Sequence, residues 1–254
     1  MRGAIGNLDV AQIVLYAFFI FFAGLVFYLR REDRREGYPL ESEATGGLRA
    51  RDVFWIPPPK TFLRADGRRI AAPSFNADTR PVRAVKAEPW PGAPLTPVGD
   101  PMLAAVGPGS FAQRADEPAK TYDGHDLIAP LRIATNFTVP AECANPVGFA
   151  VVGARRGHAG VVRDLWVDRA ESYLRYYEVQ LASMDRRVLV PAPFADVDAK
   201  RRVVRVPALF AAQFDAVPPL RDPNRVTLLE EDQIAAYYGA GALYAEPKRT
   251  EPLL

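Results

Sequence analysis

Residues 10–29, VAQIVLYAFFIFFAGLVFYL, carry only Gln12 as a strongly polar side chain. A run of about 20 apolar residues matches the hydrocarbon thickness of a bilayer when helical. A cleaved leader has a shorter apolar core and a small-x-small site behind it, whereas here RREDRRE follows at once. That order is a stop-transfer pattern and predicts a retained transmembrane helix over Val10 to Leu29. Arg30, Arg31, Arg34 and Arg35 lie just after the helix, against Arg2 alone before it. The positive-inside rule therefore predicts an outer tail at 1–9 and a cytoplasmic body after the helix.

Composition narrows what that body does. The 254 residues carry 32 basic and 30 acidic side chains, a net charge of +2, so the chain lacks the basic excess that tracks nucleic-acid phosphates. Cys143 is the single cysteine, which forbids an intramolecular disulfide and suits a reducing compartment. With His125 and His158 as the only histidines, the ligands for a closed Cys/His zinc site are too few.

Sixteen of the 24 prolines fall between Pro39 and Pro146, as in IPPPKTF (56–62) and EPWPGAPLTP (88–97). Proline fixes its own φ and drives the preceding residue to extended geometry, so long helices are not expected here. Phe54, Trp55, Phe62, Phe75, Trp90 and Phe111 give the segment apolar anchors that a disordered linker lacks. Two readings stay open: a strap laid over another surface, or a loop-rich part of the same domain. From Leu131 onward the pattern changes to short strands, at 131–139, 160–167, 173–181, 186–191 and 201–207, with breaks at SMDR and DVDAK. Such spacing predicts a small antiparallel sheet or barrel. Residues 208–217 read as a short helix. Residues 228–244 read as a longer one, capped by Thr227 with Glu230 completing the box and loosened at its end by Gly239 and Gly241. The expected domains are the helix, a linker and Pro-rich segment over 30–115, and a β-barrel-like domain with a C-terminal helix over 116–254.

Most familiar chemistry is missing. AVGPGS (105–110) and YGAGAL (238–243) lack the Gly-Lys-Ser/Thr ending of a phosphate loop and read as turns. No H-E-x-x-H or G-x-S-x-G motif occurs. His158 reads as a solvated loop residue. YDGHD (122–126) offers Asp123, His125 and Asp126 but is incomplete as a metal site and reads as a surface turn. WVDRAESYLR (166–175) gathers Asp168, Glu171 and Arg175. On a helix these would form an ion-pair ladder; the strand pattern instead leaves Asp168 and Glu171 in a turn. Like-charge repulsion would raise a carboxylate's pKa there, Arg175 would oppose it, and the cluster would titrate as a unit.

An ordered set of stretches resembles the H subunit of the photosynthetic reaction centre of purple bacteria. These are GNLDVAQIVLYAFFIFFAGLVFYL, REGYPLE (35–41), PPKTF (58–62), GDPM (99–102), VGPGSF (106–111), DGH (123–125), NPVGF (145–149), LWVD (165–168), RVTLLEED (225–232) and YAEPKR (244–249). The resemblance implies one membrane helix beside the L and M subunits, with a cytoplasmic domain of the PRC type capping them and the N-terminal tail in the periplasm. It implies a location in the bacterial inner (intracytoplasmic) membrane, contact with membrane lipids and room for a light-harvesting ring. It further implies a non-enzymatic subunit that binds no pigment or metal. Bacteriochlorophyll, bacteriopheophytin, quinones and non-haem iron would be held by L and M. Asp168, Glu171 and Arg175 match the family's D-x-x-E-x-x-x-R positions on the proton route to the secondary quinone, and Asp123 and His125 match its proton entrance. Some members carry a second histidine two residues beyond; this chain reads Asp126-Leu127 there, leaving Asp126 as the candidate acceptor and weakening the case for entrance metal binding. The rival readings are a membrane-tethered β-domain adaptor for a soluble partner and a membrane-anchored hydrolase using Asp168 and Glu171, for which no nucleophile, metal set or substrate motif is present.

Overall fold

The computed structural model describes residues 10–38, 40, 42, 55–64, 67–74 and 80–250. The tail at 1–9, Phe54 and Phe75, and Pro39 and Glu41 of REGYPLE lie outside the described residues. The chain divides into two compact units, one comprising 1–79 with 90–92, the other 80–89 with 93–254.

In the first unit, helix α1 spans Val10–Glu32 and buries none of its residues. Its apolar window has a mean hydropathy of 2.4, long and apolar enough to cross a membrane. Phe18 and Phe22, one turn apart, stack at 5.9 Å on its surface. Strands β1 (Lys60–Leu63) and β2 (Arg69–Ala72) form an antiparallel ribbon with Phe62 opposite Ile70, both exposed. Arg35 clamps this ribbon to the helix end, donating to Glu32 at 2.8 Å and to the carbonyls of Pro58 and Ala72. Among the described residues of this unit the proline-rich chain is thus extended, as its composition predicts, and paired into a ribbon at β1 and β2.

The second unit opens with a similar ribbon, β3 (Ala84–Lys86) against β4 (Leu95–Pro97). Its core is a seven-stranded sheet of β5 (Ile128–Pro130), β6 (Ala150–Gly153), β7 (His158–Asp168), β8 (Tyr173–Leu181), β9 (Arg187–Pro191), β10 (Asp196–Asp198) and β11 (Val203–Val206). The spatial order is β10-β11-β6-β7-β8-β9, and β6 and β5 share one edge of the long β7. Trp166, Val179, Val190, Val204, Phe214, Ile234 and Tyr238 fill the core beneath helix α2 (Leu228–Tyr244).

Four of the five strands read from sequence are present; the one expected at 131–139 is not. The chain pairs earlier, at Ile128–Pro130, and then turns as Ala134 N donates to the Pro130 carbonyl at 2.9 Å. DVDAK, expected to be only a break, contributes β10. The short helix at 208–217 is a 3-10 helix, Ala211–Ala216. Thr227 caps α2 as expected: its hydroxyl accepts from Glu230 N at 3.1 Å, and Glu230 Oε2 accepts from Thr227 N at 2.8 Å.

Of the two glycine stretches set aside as turns, AVGPGS is a single 3-10 turn at Gly107–Gly109, whereas YGAGAL needs correction. YGAGAL is helical, and its glycines permit contact rather than loosening the helix. A Cβ on Gly239 would sit 2.4 Å from the Pro108 carbonyl oxygen, and one on Gly241 2.4 Å from a Leu209 methyl. Pro108 belongs to AVGPGS, whose own Gly109 lies against Ala240. The two motifs are halves of one close packing contact.

Candidate functional site

Asp168 ends β7, where it is in register with both Ile128 of β5 and Tyr173 of β8. Its side chain is buried and turns back on the chain: Oδ1 accepts from Ala170 N and Glu171 N, each at 3.0 Å. The Asp168 carbonyl accepts from Ser172 N at 2.8 Å, and Ser172 adopts a positive φ of 56°. This Asx turn is what an aspartate builds at a strand end, and it leaves Glu171 exposed at the tip. The turn reading holds for Glu171, whereas Asp168 belongs to the end of β7 and bonds the turn from there.

Arg175 faces a different partner. Trp166 pairs with Tyr176 while Val167 pairs with Leu174, so Arg175 is the extra residue of a β-bulge. Bulges re-aim side chains. Arg175 donates to the Tyr173 hydroxyl at 2.5 Å and to Glu231 Oε2 at 3.3 Å. Burial pulls the Arg175 pKa down, but the hydrogen bonds to Tyr173 and Glu231 outweigh it and hold the pKa above its usual value. The Tyr176 hydroxyl donates to the same Glu231 oxygen at 2.9 Å, and burial followed by the Glu231 charge pushes that phenol well up. Arg175 is therefore committed to Glu231 at the start of α2.

Glu231 was missed in the sequence because an acidic first helical turn is explained by the helix dipole alone. The signal was that Glu230 is consumed by the cap, leaving a second carboxylate to find another use. Glu178 was missed for a similar reason, as one acid inside a strand. It is buried and accepts from Trp166 Nε1 (2.8 Å), Arg132 (2.6 Å) and Arg187 (2.8 Å). Arg132 also bonds Asp164 at 2.8 Å, which ties the chain after β5 to the sheet.

The DGH segment forms a tight loop. Thr121 N donates to the His125 carbonyl at 2.8 Å, and Gly124 takes the φ of 84° that the turn requires. Asp123 and His125 are exposed, with His125 Nε2 3.5 Å from Asp123 Oδ2. The Thr121 hydroxyl bonded to Asp123 and the neighbouring His125 charge hold that carboxyl below its usual range. Asp126 points elsewhere: Lys120 Nζ lies 2.5 Å from Oδ1 and Arg225 Nε 2.8 Å from Oδ2. Partial burial raises the Asp126 pKa, but its bonds to Arg225 and Lys120 lower it further, so it stays below the usual carboxylate value. Among the described residues no three His, Cys, Asp or Glu side chains are grouped to hold a metal ion.

Loop and turn meet in one place. A cleft of about 350 Å³ is lined by Thr121, Asp123 and His125 together with Arg169 and Ala170, the two residues between Asp168 and Glu171. Arg169 N donates to the Leu127 carbonyl at 2.8 Å, fixing the turn against the loop. Asp168, Glu171 and Arg175 do not themselves line this cleft.

Comparison with known families covers both units. Residues 3–133, just over half of the chain, match the family described as photosynthetic reaction centre, H-chain N-terminal region. Residues 141–212 match the PRC-barrel domain, a span that contains β6 to β11 and the 168–171 turn.

Proposed function

Since the chain belongs to the photosynthetic reaction-centre H-chain family, we propose that it caps the L and M subunits on the cytoplasmic side and helps deliver protons to the secondary quinone. It would do so as a non-enzymatic subunit of the bacterial inner membrane, with the tail at 1–9 in the periplasm. Pigments, quinones and non-haem iron would reside in L and M. The exposed apolar residues Trp55, Phe62, Leu63 and Trp90 suit a chain that contacts partner subunits and lipid.

The observation that carries the proton role is the shared cleft. A quinone taking two electrons must take two protons, and a pocket closed to bulk water needs groups that pass them. Imidazole is the side chain that exchanges protons near neutral pH, and His125 stands exposed at the cleft mouth. Asp123, held ionised by Thr121, supplies the negative charge that draws protons there. Arg169 and Ala170 line the same cleft, and Asp168 and Glu171, which flank them without lining it, would be the next acceptors. Arg175, held to Glu231, would set the charge balance near the turn as half of that ion pair. Asp126, neutralised by Lys120 and Arg225, suits an anchor for the entrance loop better than a proton carrier.

Asp168→Asn and Glu171→Gln test this. Asparagine keeps an oxygen for the two backbone donors, so the turn survives while the acid is lost. Transfer of the second electron to the secondary quinone should slow by roughly tenfold in each variant, with charge separation intact. Unchanged flash-induced proton uptake in both would overturn the relay.

A further inference from the structure

Strand β8 carries two buried tyrosines side by side, and the pleat sends them to opposite faces of the sheet. The Tyr176 hydroxyl is taken by Glu231 at 2.9 Å. Tyr177, in register with Leu165 of β7, stands on the other face, where both line a cavity of about 500 Å³. Val167 and Leu174 extend this wall, and Phe137 and Val197 of β10 line it from beyond β7 and β8. The size is that of a small-molecule site and far exceeds the voids of a packed interior. Two observations bear on what it holds. None of the lining side chains is charged, so an ion would enter without a counter-charge. Tyr177 is only 6% exposed, yet its hydroxyl has no hydrogen-bond partner among the described residues. Burial alone pushes that phenol up. Tyr173, on the same lining, is already occupied, its hydroxyl accepting from Arg175.

We infer that this cavity binds a neutral, apolar molecule bearing a carbonyl group, with the Tyr177 hydroxyl donating to the carbonyl oxygen. A buried phenol ordinarily finds a partner, and one left without costs free energy that an incoming acceptor recovers. A carboxylate would accept the same proton but would bury its charge against uncharged walls. A plain hydrocarbon would fill the space and leave the phenol unmet. A carbonyl on an apolar body satisfies both the wall and the donor, the pattern of a pocket that orients its ligand through one polar group.

Cys143 lines the cavity, is exposed and is the single cysteine, so its thiol reports occupancy. The full chain in detergent is labelled with N-ethylmaleimide while 2-acetylnaphthalene is titrated in, or 2-ethylnaphthalene, which has a similar shape without the oxygen. Both should slow the labelling saturably. In Tyr177→Phe the ketone's half-protecting concentration should rise about fivefold while the hydrocarbon's stays unchanged. Uptake into micelles is the same for both proteins and cancels. Equal ketone protection in wild type and Tyr177→Phe overturns the hydrogen bond. A rise for both compounds alike would make Tyr177 a packing residue and overturn it too. No saturable protection by either compound overturns the cavity as a binding site. A thiol closed to the reagent in the assembled reaction centre, but open in the full chain alone, would give the cavity to a partner subunit and overturn the small-molecule assignment.

Discussion

The α1 unit and the sheet unit treat apolar surface in opposite ways. In α1 no residue is buried, and Phe18, Phe19, Phe21 and Phe22 all point outward. In the sheet unit Trp166, Phe214 and Tyr238 are fully buried, and charged groups such as Glu178 are buried with partners. A chain that exposes phenylalanines in one unit and buries carboxylates in the other is not stabilised by the same forces throughout. Helix α1 of the first unit has no buried residue of its own, while the second unit carries its own core. The largest effect that separates them is deletion of Val10 to Leu29. The remaining chain should be water-soluble and melt within a few degrees of the full protein's sheet unit, yet fail to copurify with pigmented reaction centres. Normal recovery in purified complexes would break the comparison at its root.

The next test falls inside the sheet unit. Glu178→Ala removes the shared acceptor of Arg132, Arg187 and the Trp166 indole. Loss of one member of a buried ionic cluster costs about 3–5 kcal/mol. Because both arginines are partly exposed and can reach water, about 2–4 kcal/mol is expected, read as a shift in urea midpoint. Gly239→Ala should follow at about 1–3 kcal/mol, against the gain of up to about 1 kcal/mol that alanine gives an exposed helix position. A stabilised Gly239→Ala protein would show that the contact with Pro108 yields easily.

What the sequence disclosed follows the same division. The long apolar helix α1 was legible because it depends on a local property, a long uninterrupted apolar run. The capping box at Thr227 and Glu230 was legible for the same reason, its donors and acceptors lying three residues apart. Four strands were legible from their β-branched and aromatic runs. The strand expected at 131–139 was not there, because Pro130 and the turn behind it start the pairing three residues earlier, with β7 as partner. The glycines of α2 were misread because their reason is Pro108, some 130 residues away in sequence. In the candidate site, Glu171 was rightly placed in a turn, while Asp168 holds the last position of β7 and caps that turn with its side chain. That Arg175 would turn to Glu231 depended on a bulge, which no local pattern announces.

The smallest expected effect concerns the 121–126 loop of the sheet unit, where Asp126 is paired with Lys120 and Arg225. Asp126 has a folded pKa below its unfolded value because Arg225 and Lys120 favour its ionised form. A depressed carboxylate contributes stability that is fully present above its unfolded pKa, near 4, and lost as pH falls through the lower folded value. Asp126→Asn should therefore lose a little stability at neutral pH and show a shallower decline in acid than wild type, converging with it at the lowest pH. Parallel acid limbs in the two proteins would mean that Asp126 is not held ionised by those cations. It would then return to the candidate proton carriers, and the contrast between a paired anchor at Asp126 and an exposed imidazole at His125 would be lost.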